Sequence, residues 1–173
     1  MLTKVLPFEK IAYHSHLNKE ELTKHLFSQF EQEKAFGFGA AKTVYSKKYI
    51  GNVYENQFEV KRAINYRNSF LPIIKGIIKE DLRGSKIDVT MNLNPVVKVF
   101  MIIWFSGVLV ACIFTVVHLT GDKNLQVNPE PFKFIPFLML LIGAAMVYFG
   151  FKVESKKSIK DLEETLQAKV IEQ

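Results

Sequence analysis

Arg62, Arg67 and Asn68 are the side chains whose types and spacing point most directly to chemistry. They lie in and beside Asn65-Tyr66-Arg67-Asn68-Ser69-Phe70-Leu71-Pro72, the most distinctive polar stretch of the chain. Arg62 shares one face of a strand-like segment with Phe58, Val60 and Ile64. A guanidinium on an apolar face invites a buried or interfacial anion, a phosphate or a carboxylate, because its planar fork presents several donors in fixed geometry. The bland alternatives are an arginine whose stem packs while its head reaches the rim, or a one-residue bulge that turns it outward. Arg62, Arg67 and Asn68 are therefore the expected ligand-binding set, with an anion as the ligand.

Other candidates are weaker. His14 and His16 alternate on a strand, so both rings point one way, but two imidazoles are too few for a metal site. His25 has no partner that spacing can supply. His118, near the end of an apolar run and four residues before Asp122, could mark a proton path, since ionisable groups in membrane spans often do; both sit near the expected interface, where no special role is needed. Gly37-Phe38-Gly39 with Lys42 lacks the spacing of a phosphate loop, and no G-x-S-x-G or H-E-x-x-H occurs. The single cysteine excludes an intrachain disulfide and a cysteine-based zinc site. The expectation is a non-enzymatic protein with no catalytic residue, cofactor or metal.

Charge is partitioned along the 173 residues. Residues 1–95 carry 15 Lys+Arg and 10 Asp+Glu, residues 96–151 carry three and two, and residues 152–173 carry five of each. The modest basic excess of the first part suits an anionic membrane surface and is too diffuse for nucleic acid. The uncharged run Val99–Gly121, and a second from Phe134 to Phe151, are long enough to cross a bilayer at about 1.5 Å per residue. Buried helices of a soluble core are the rival reading, but a chain this small has little else to wrap two of them.

The sequence thus divides into a cytoplasmic α+β domain (1–95), a transmembrane helical hairpin (96–152, spans about 98–120 and 134–151) and a C-terminal cytoplasmic amphipathic helix (153–173). The first apolar run starts too late for a signal peptide. Lysines and arginines flank the outer ends of the two runs, and the connecting segment holds only Lys123 and Lys133. By the positive-inside rule both termini are expected in the cytoplasm. Lys152 is expected to snorkel at the interface.

Within the first part, Lys10–His16 predicts a strand. Asn18 with Glu21 predicts a capping box opening a helix to about Glu33, with Leu22, Leu26 and Phe30 as its apolar stripe. Residues 34–48 read as loop or irregular edge strand. Tyr49–Glu55 and Phe58–Arg67 predict strands about a turn at Asn56-Gln57. Pro72–Glu80 predicts a third, with Gly76 marking a bulge or a close approach. Lys86–Leu93 alternates as a half-buried antiparallel strand does. The expected domain is a small antiparallel sheet with one packed helix. Because only Asn94-Pro95 separates the last strand from the first apolar run, the sheet is expected against the membrane, with strand movement passed to the span.

Ile159, Leu162, Leu166 and Val170 form a stripe on the C-terminal helix, which either docks on the sheet, the favoured reading, or joins a protein partner or second copy. Gly143-Ala144-Ala145 and Gly150 would allow close helix approach.

Gly51–Phe58 (GNVYENQF), Tyr66–Pro72 (YRNSFLP), Gly76-Ile77-Ile78 and Asn94-Pro95 resemble a group of bacterial two-span membrane proteins, to which no activity attaches. The resemblance implies the bacterial inner membrane. A fainter likeness to START-like or bacterial PH-like domains, through the early strand–helix and the later meander, implies fold only. The functional expectation is a binding or sensing domain held at the membrane, its partner an anionic lipid, a small anionic ligand or a protein. An oligomeric effector or pore gated by the domain, and a structural subunit of a larger complex, are the alternatives.

Overall fold

The computed structural model describes residues 6–32, 45–121 and 131–172. Gly37-Phe38-Gly39, Lys42, Asp122 and most of the segment between the apolar runs lie outside them. The chain divides into two compact units: Met1–Asn94 with Gly150–Gln173, and Pro95–Phe149.

The first unit is built on a seven-stranded sheet in the order β2-β3-β4-β5-β6-β1-β7. Strand β1 covers Phe8–Ser15, β2 Phe30–Glu31, β3 Tyr49–Val53, β4 Gln57–Arg62, β5 Ile73–Asp81, β6 Gly84–Asn92 and β7 Ala168–Glu172. Alternation decides which face is buried. Ser85, Ile87, Val89 and Met91 of β6 are buried, as are Ile74, Gly76 and Ile78 of β5 and Phe58 and Val60 of β4. The residues between them, Glu59, Lys75, Ile77, Lys86, Asp88 and Thr90, point the other way, as a period of two requires.

Helix α1, Lys19–Gln29, opens with the expected capping box. The Glu21 N–H donates to Asn18 Oδ1 at 2.9 Å, and the Asn18 N–H donates back to Glu21 Oε2 at 3.2 Å. Leu22 and Leu26 are fully buried. The helix stops short of Glu33, because Phe30 turns into the sheet, its ring 5.8 Å from Tyr49 and 5.6 Å from Phe58. The two-residue β2 that results runs parallel to β3, so the sheet is mixed rather than wholly antiparallel.

Gly76 is the close approach its position suggested, within an unbroken β4–β5 register. A Cβ there would lie 2.2 Å from the Phe58 ring, so the missing side chain makes room for the aromatic.

The C-terminal region departs from expectation. No separate helix spans 153–173. Helix α3 runs unbroken from Ile135 to Thr165, and Ala168–Glu172 form β7, paired with β1 at the sheet edge. Gln167 takes the left-handed backbone (φ 47°) that ends the helix. Ser15 Oγ on β1 lies 3.1 Å from both the Leu166 and the Gln167 carbonyls, fixing the turn from below. The stripe turns inward onto this chain's own sheet: Leu162 and Leu166 are fully buried. The Tyr49 hydroxyl donates to the Ser158 carbonyl and the Tyr13 hydroxyl to the Ile159 carbonyl, each at 3.3 Å. Helix α1 and the 150–165 part of α3 thus cover the buried face, so the C-terminal segment docks on the sheet as favoured, but as the continuation of α3 and a strand rather than as a separate helix.

The second unit contains helix α2, Pro95–Gly121, a 3-10 turn at Pro131–Phe134 and the first half of α3. Both helices are long and apolar enough to cross a membrane. Met101, Val108, Cys112 and Gly143 are buried, and the Phe105 ring would be 3.3 Å from a Cβ on Gly143. Most other large apolar side chains stand exposed, among them Phe100, Ile103, Phe114 and Leu141.

Candidate functional site

Arg62 closes β4, and its head reaches α3. Nη1 lies 3.4 Å from Glu154 Oε2, and Nη2 lies 2.8 Å from Asp161 Oδ2. Glu154 and Asp161 are seven residues apart, two helical turns, so both carboxylates stand on one face of α3. Glu154 is 3 % exposed at its side chain. It also accepts from the Tyr66 hydroxyl and pairs with Lys157 Nζ at 3.0 Å. Burial raises its pKa, but the hydrogen bonds from Tyr66 and Lys157, with the charges of Lys157 and Arg62, outweigh burial and hold it below the usual carboxylate range. Burial, together with the same carboxylate, pushes the Tyr66 phenol up.

The loop after β4 grips the same helix. Asn68 Nδ2 donates to the Gly150 carbonyl at 2.9 Å, while Asn68 Oδ1 accepts from the Phe70 N–H at 2.9 Å, an Asx turn. The Phe70 ring would be 2.9 Å from a Cβ on Gly150, so Gly150 is where the loop closes on the helix. Arg67 is exposed.

The expected set is thus split. Arg62 and Asn68 converge on α3 and are engaged by groups of the chain itself; Arg67 points elsewhere. The anion that Arg62 invited is present as Glu154 and Asp161. The polar stretch meets a helix of its own chain at Gly150 and Glu154, and Arg62 reaches the same helix at Glu154 and Asp161. Sequence reasoning passed over Glu154, Lys157 and Asp161, although their i, i+3, i+7 spacing places them on one face.

A second ion pair joins α3 to β1. Lys152 Nζ lies 2.8 Å from Glu9 Oε1, and the Lys152 side chain is 9 % exposed. Lys152 is therefore buried against a carboxylate rather than snorkelling. A cavity of about 450 Å³ opens beside α1, lined by His25, Lys47, Lys48, Tyr49, Glu164 and Thr165. Its lysines are engaged, Lys48 Nζ with Glu164 at 2.8 Å and Lys47 Nζ with the Phe30 carbonyl at 3.1 Å.

His14 and His16 do sit together, ring centroids 6.0 Å apart, and His14 Nε2 is 3.3 Å from Asp81 Oδ2. Among the described residues no group of three His, Cys, Asp or Glu side chains could hold a metal ion. His118 is an exposed residue of the last turn of α2. No family model, curated protein or solved structure matches the chain.

Proposed function

We propose that this is a membrane-anchored, non-enzymatic binding protein that presents its α+β unit on the cytoplasmic side of a bacterial inner membrane. The observation that carries the anchoring is the surface of α2 and the first half of α3. Large apolar side chains stand outward around both helices, far beyond the few hundred Å² of apolar patch a soluble monomer tolerates. Two hydroxyls of α2 are satisfied within the helix: Thr115 Oγ1 donates to the Ala111 carbonyl at 2.9 Å and Thr120 Oγ1 to that of Val116 at 3.0 Å. A hydrocarbon environment demands such internal satisfaction.

The binding part of the reading rests on the sheet unit. Arg62 and Asn68 are engaged by groups of the chain itself, which supports a scaffold more than a catalyst. The alternatives of an oligomeric pore and a structural subunit draw no comparable support from a described contact.

The test is labelling with a membrane-impermeant maleimide in intact cells, in a Cys112→Ser background. Asn124→Cys, between the two apolar helices, should react from outside. Lys156→Cys should react only after the membrane is opened. Reaction of Lys156→Cys in intact cells would reverse the orientation, and release of the protein by alkaline carbonate would end the membrane reading.

A further inference from the structure

The sheet face opposite α1 and the 150–165 part of α3 carries its basic residues in rows. The registers place Lys79 of β5 opposite Lys86 of β6, Lys86 opposite His14 of β1, and His14 opposite Lys169 of β7. Three lysines and a histidine thus form one rung across four adjacent strands, about 14 Å long at the usual strand spacing. Two residues along the strands, the next rung holds Ile77, Asp88 and Ala12. The third holds Lys75, Thr90 and Lys10. Alternate residues share a face, so successive rungs lie about 7 Å apart. The pattern is a basic row, a largely apolar row and a second basic row.

Ion pairs match only part of this charge. Lys79 Nζ lies 2.6 Å from Asp88 Oδ2 and Lys75 Nζ 2.9 Å from Glu59 Oε2, yet both lysine side chains remain 59 % exposed. His14 Nε2 is 3.3 Å from Asp81 Oδ2. Among the described residues no carboxylate forms an ion pair with Lys10, Lys86 or Lys169. Lys79 and Lys86 are like charges directly opposite each other, an arrangement that costs a sheet stability. Ile77 in the middle row is 48 % exposed, and Ile171, past Lys169 on β7, is 55 % exposed. The three rungs hold no arginine, tyrosine or tryptophan, the side chains that fork onto phosphates or stack on bases.

We infer that this face docks an amphipathic helix of a partner protein, one whose apolar stripe is flanked by carboxylates. Acidic residues at i, i+3 or i+4, and i+7 stand about 5–6 Å apart along a helix. That is close to the strand spacing of about 4.8 Å between Lys79, Lys86, His14 and Lys169. A helix laid along the rung therefore brings successive carboxylates over successive strands. Its diameter of about 10 Å seats an apolar stripe over Ile77 and Ala12, while acids on either side meet the two basic rows. Charge complementarity selects an acidic partner, and the absence of forking and stacking side chains favours protein over nucleic acid. The inference rests on the binding reading above and gives that reading the chemistry of its partner.

The experiment titrates the full chain, in micelles of an uncharged detergent, into a fluorescent synthetic helix of about 20 residues, alanine-based with a leucine stripe between two rows of glutamate. An isomer of the same composition, its glutamates spread around the helix, is the comparison. Fluorescence anisotropy should show the patterned peptide binding several-fold more tightly than the isomer, and high salt should weaken it. Lys79→Gln combined with Lys86→Gln and Lys169→Gln should loosen binding about tenfold, the effect of three exposed ion pairs. Lys24→Gln combined with Lys156→Gln and Lys160→Gln removes the same charge from exposed positions on α1 and α3, and should leave the affinity near that of the parent. No binding, equal binding of the two isomers, or equal losses in the two triple variants overturns the inference. An oligouridine that binds the same three lysines more tightly than the patterned peptide also overturns it, and makes the occupant a nucleic acid while leaving a binding protein. None of these outcomes bears on the anchoring, which maleimide labelling and carbonate extraction decide separately.

Discussion

Arg62 Nη2 lies 2.8 Å from Asp161 Oδ2, and the same guanidinium reaches Glu154 two helical turns earlier on the same face of α3. One cation at the end of β4 therefore holds two carboxylates of a helix that the sequence places about 90 residues later. Arg62→Ala leaves Glu154 buried without this cation, and removing one partner of such a cluster costs about 3 kcal/mol. Arg62→Lys should recover only part, since an ammonium cannot fork. Urea titration of the full chain in micelles, followed by far-UV circular dichroism, measures both. Equal midpoints for Arg62→Ala and the parent would remove the clasp from the account of stability.

Gly76→Ala should destabilise the sheet unit by about 1–3 kcal/mol, because the new methyl meets the Phe58 ring at 2.2 Å. Combining it with Phe58→Leu should give a loss smaller than the sum of the two single losses, since neighbours that clash are not additive. A purely additive double variant would mean that the ring and the glycine do not oppose each other.

Lys86→Thr should raise stability, by about 0.2–1 kcal/mol, by relieving the like charge of Lys79 directly opposite it on β5. Urea midpoints of the parent and of the variant measure this, and an unchanged or lower midpoint would mean that the two ammonium groups do not oppose each other.

Asp88 gives a pH dependence with a definite sign. The hydrogen bond from Lys79 comes first, and with the charges of Lys79, Lys86 and Lys10 it outweighs desolvation and lowers the carboxyl pKa. A folded value below the unfolded one, about 3.9, means that the contribution is complete above the unfolded value. It is lost as pH falls through the folded value. The group is partly exposed, so the effect should stay below about 1 kcal/mol. Denaturation midpoints between pH 6 and pH 3 should fall less steeply in Asp88→Asn than in the parent. Parallel slopes would exclude the carboxylate as a source of the acid sensitivity.

Much of this was legible in the sequence. The Asn18–Glu21 capping box and the alternation of Ile87, Val89 and Met91 are local patterns whose physics needs no distant partner. Two apolar helices were likewise legible from length and absence of charge. Strand β7 was not. Val170 continues a helical stripe through Leu162 and Leu166, and it also alternates with Ala168 as a strand residue must. No glycine or proline at Gln167 announces the break, which β1 imposes through Ser15. The polar stretch around Arg67 was visible as unusual, but its partners, Gly150 and Glu154, lie beyond both apolar runs. Lys152 read as an interfacial lysine because Glu9 is 143 residues away. Pattern identifies the elements, whereas pairing across such distances is set by tertiary packing.

Strand β7 imposes an order of events on synthesis. Its partner β1 lies roughly 155 residues upstream, and α2 and α3 are both translated between them. At about 5–20 residues per second, β1 waits several seconds or longer with one edge open before Ala168–Glu172 emerge. Through that interval the nascent sheet offers backbone donors and acceptors to any neighbouring extended chain. By then both apolar helices are already made. Completion of the sheet therefore follows the synthesis of both apolar helices, and a ribosome that stalls between Gly121 and Ala168 leaves a product with an open strand edge for quality control to recognise.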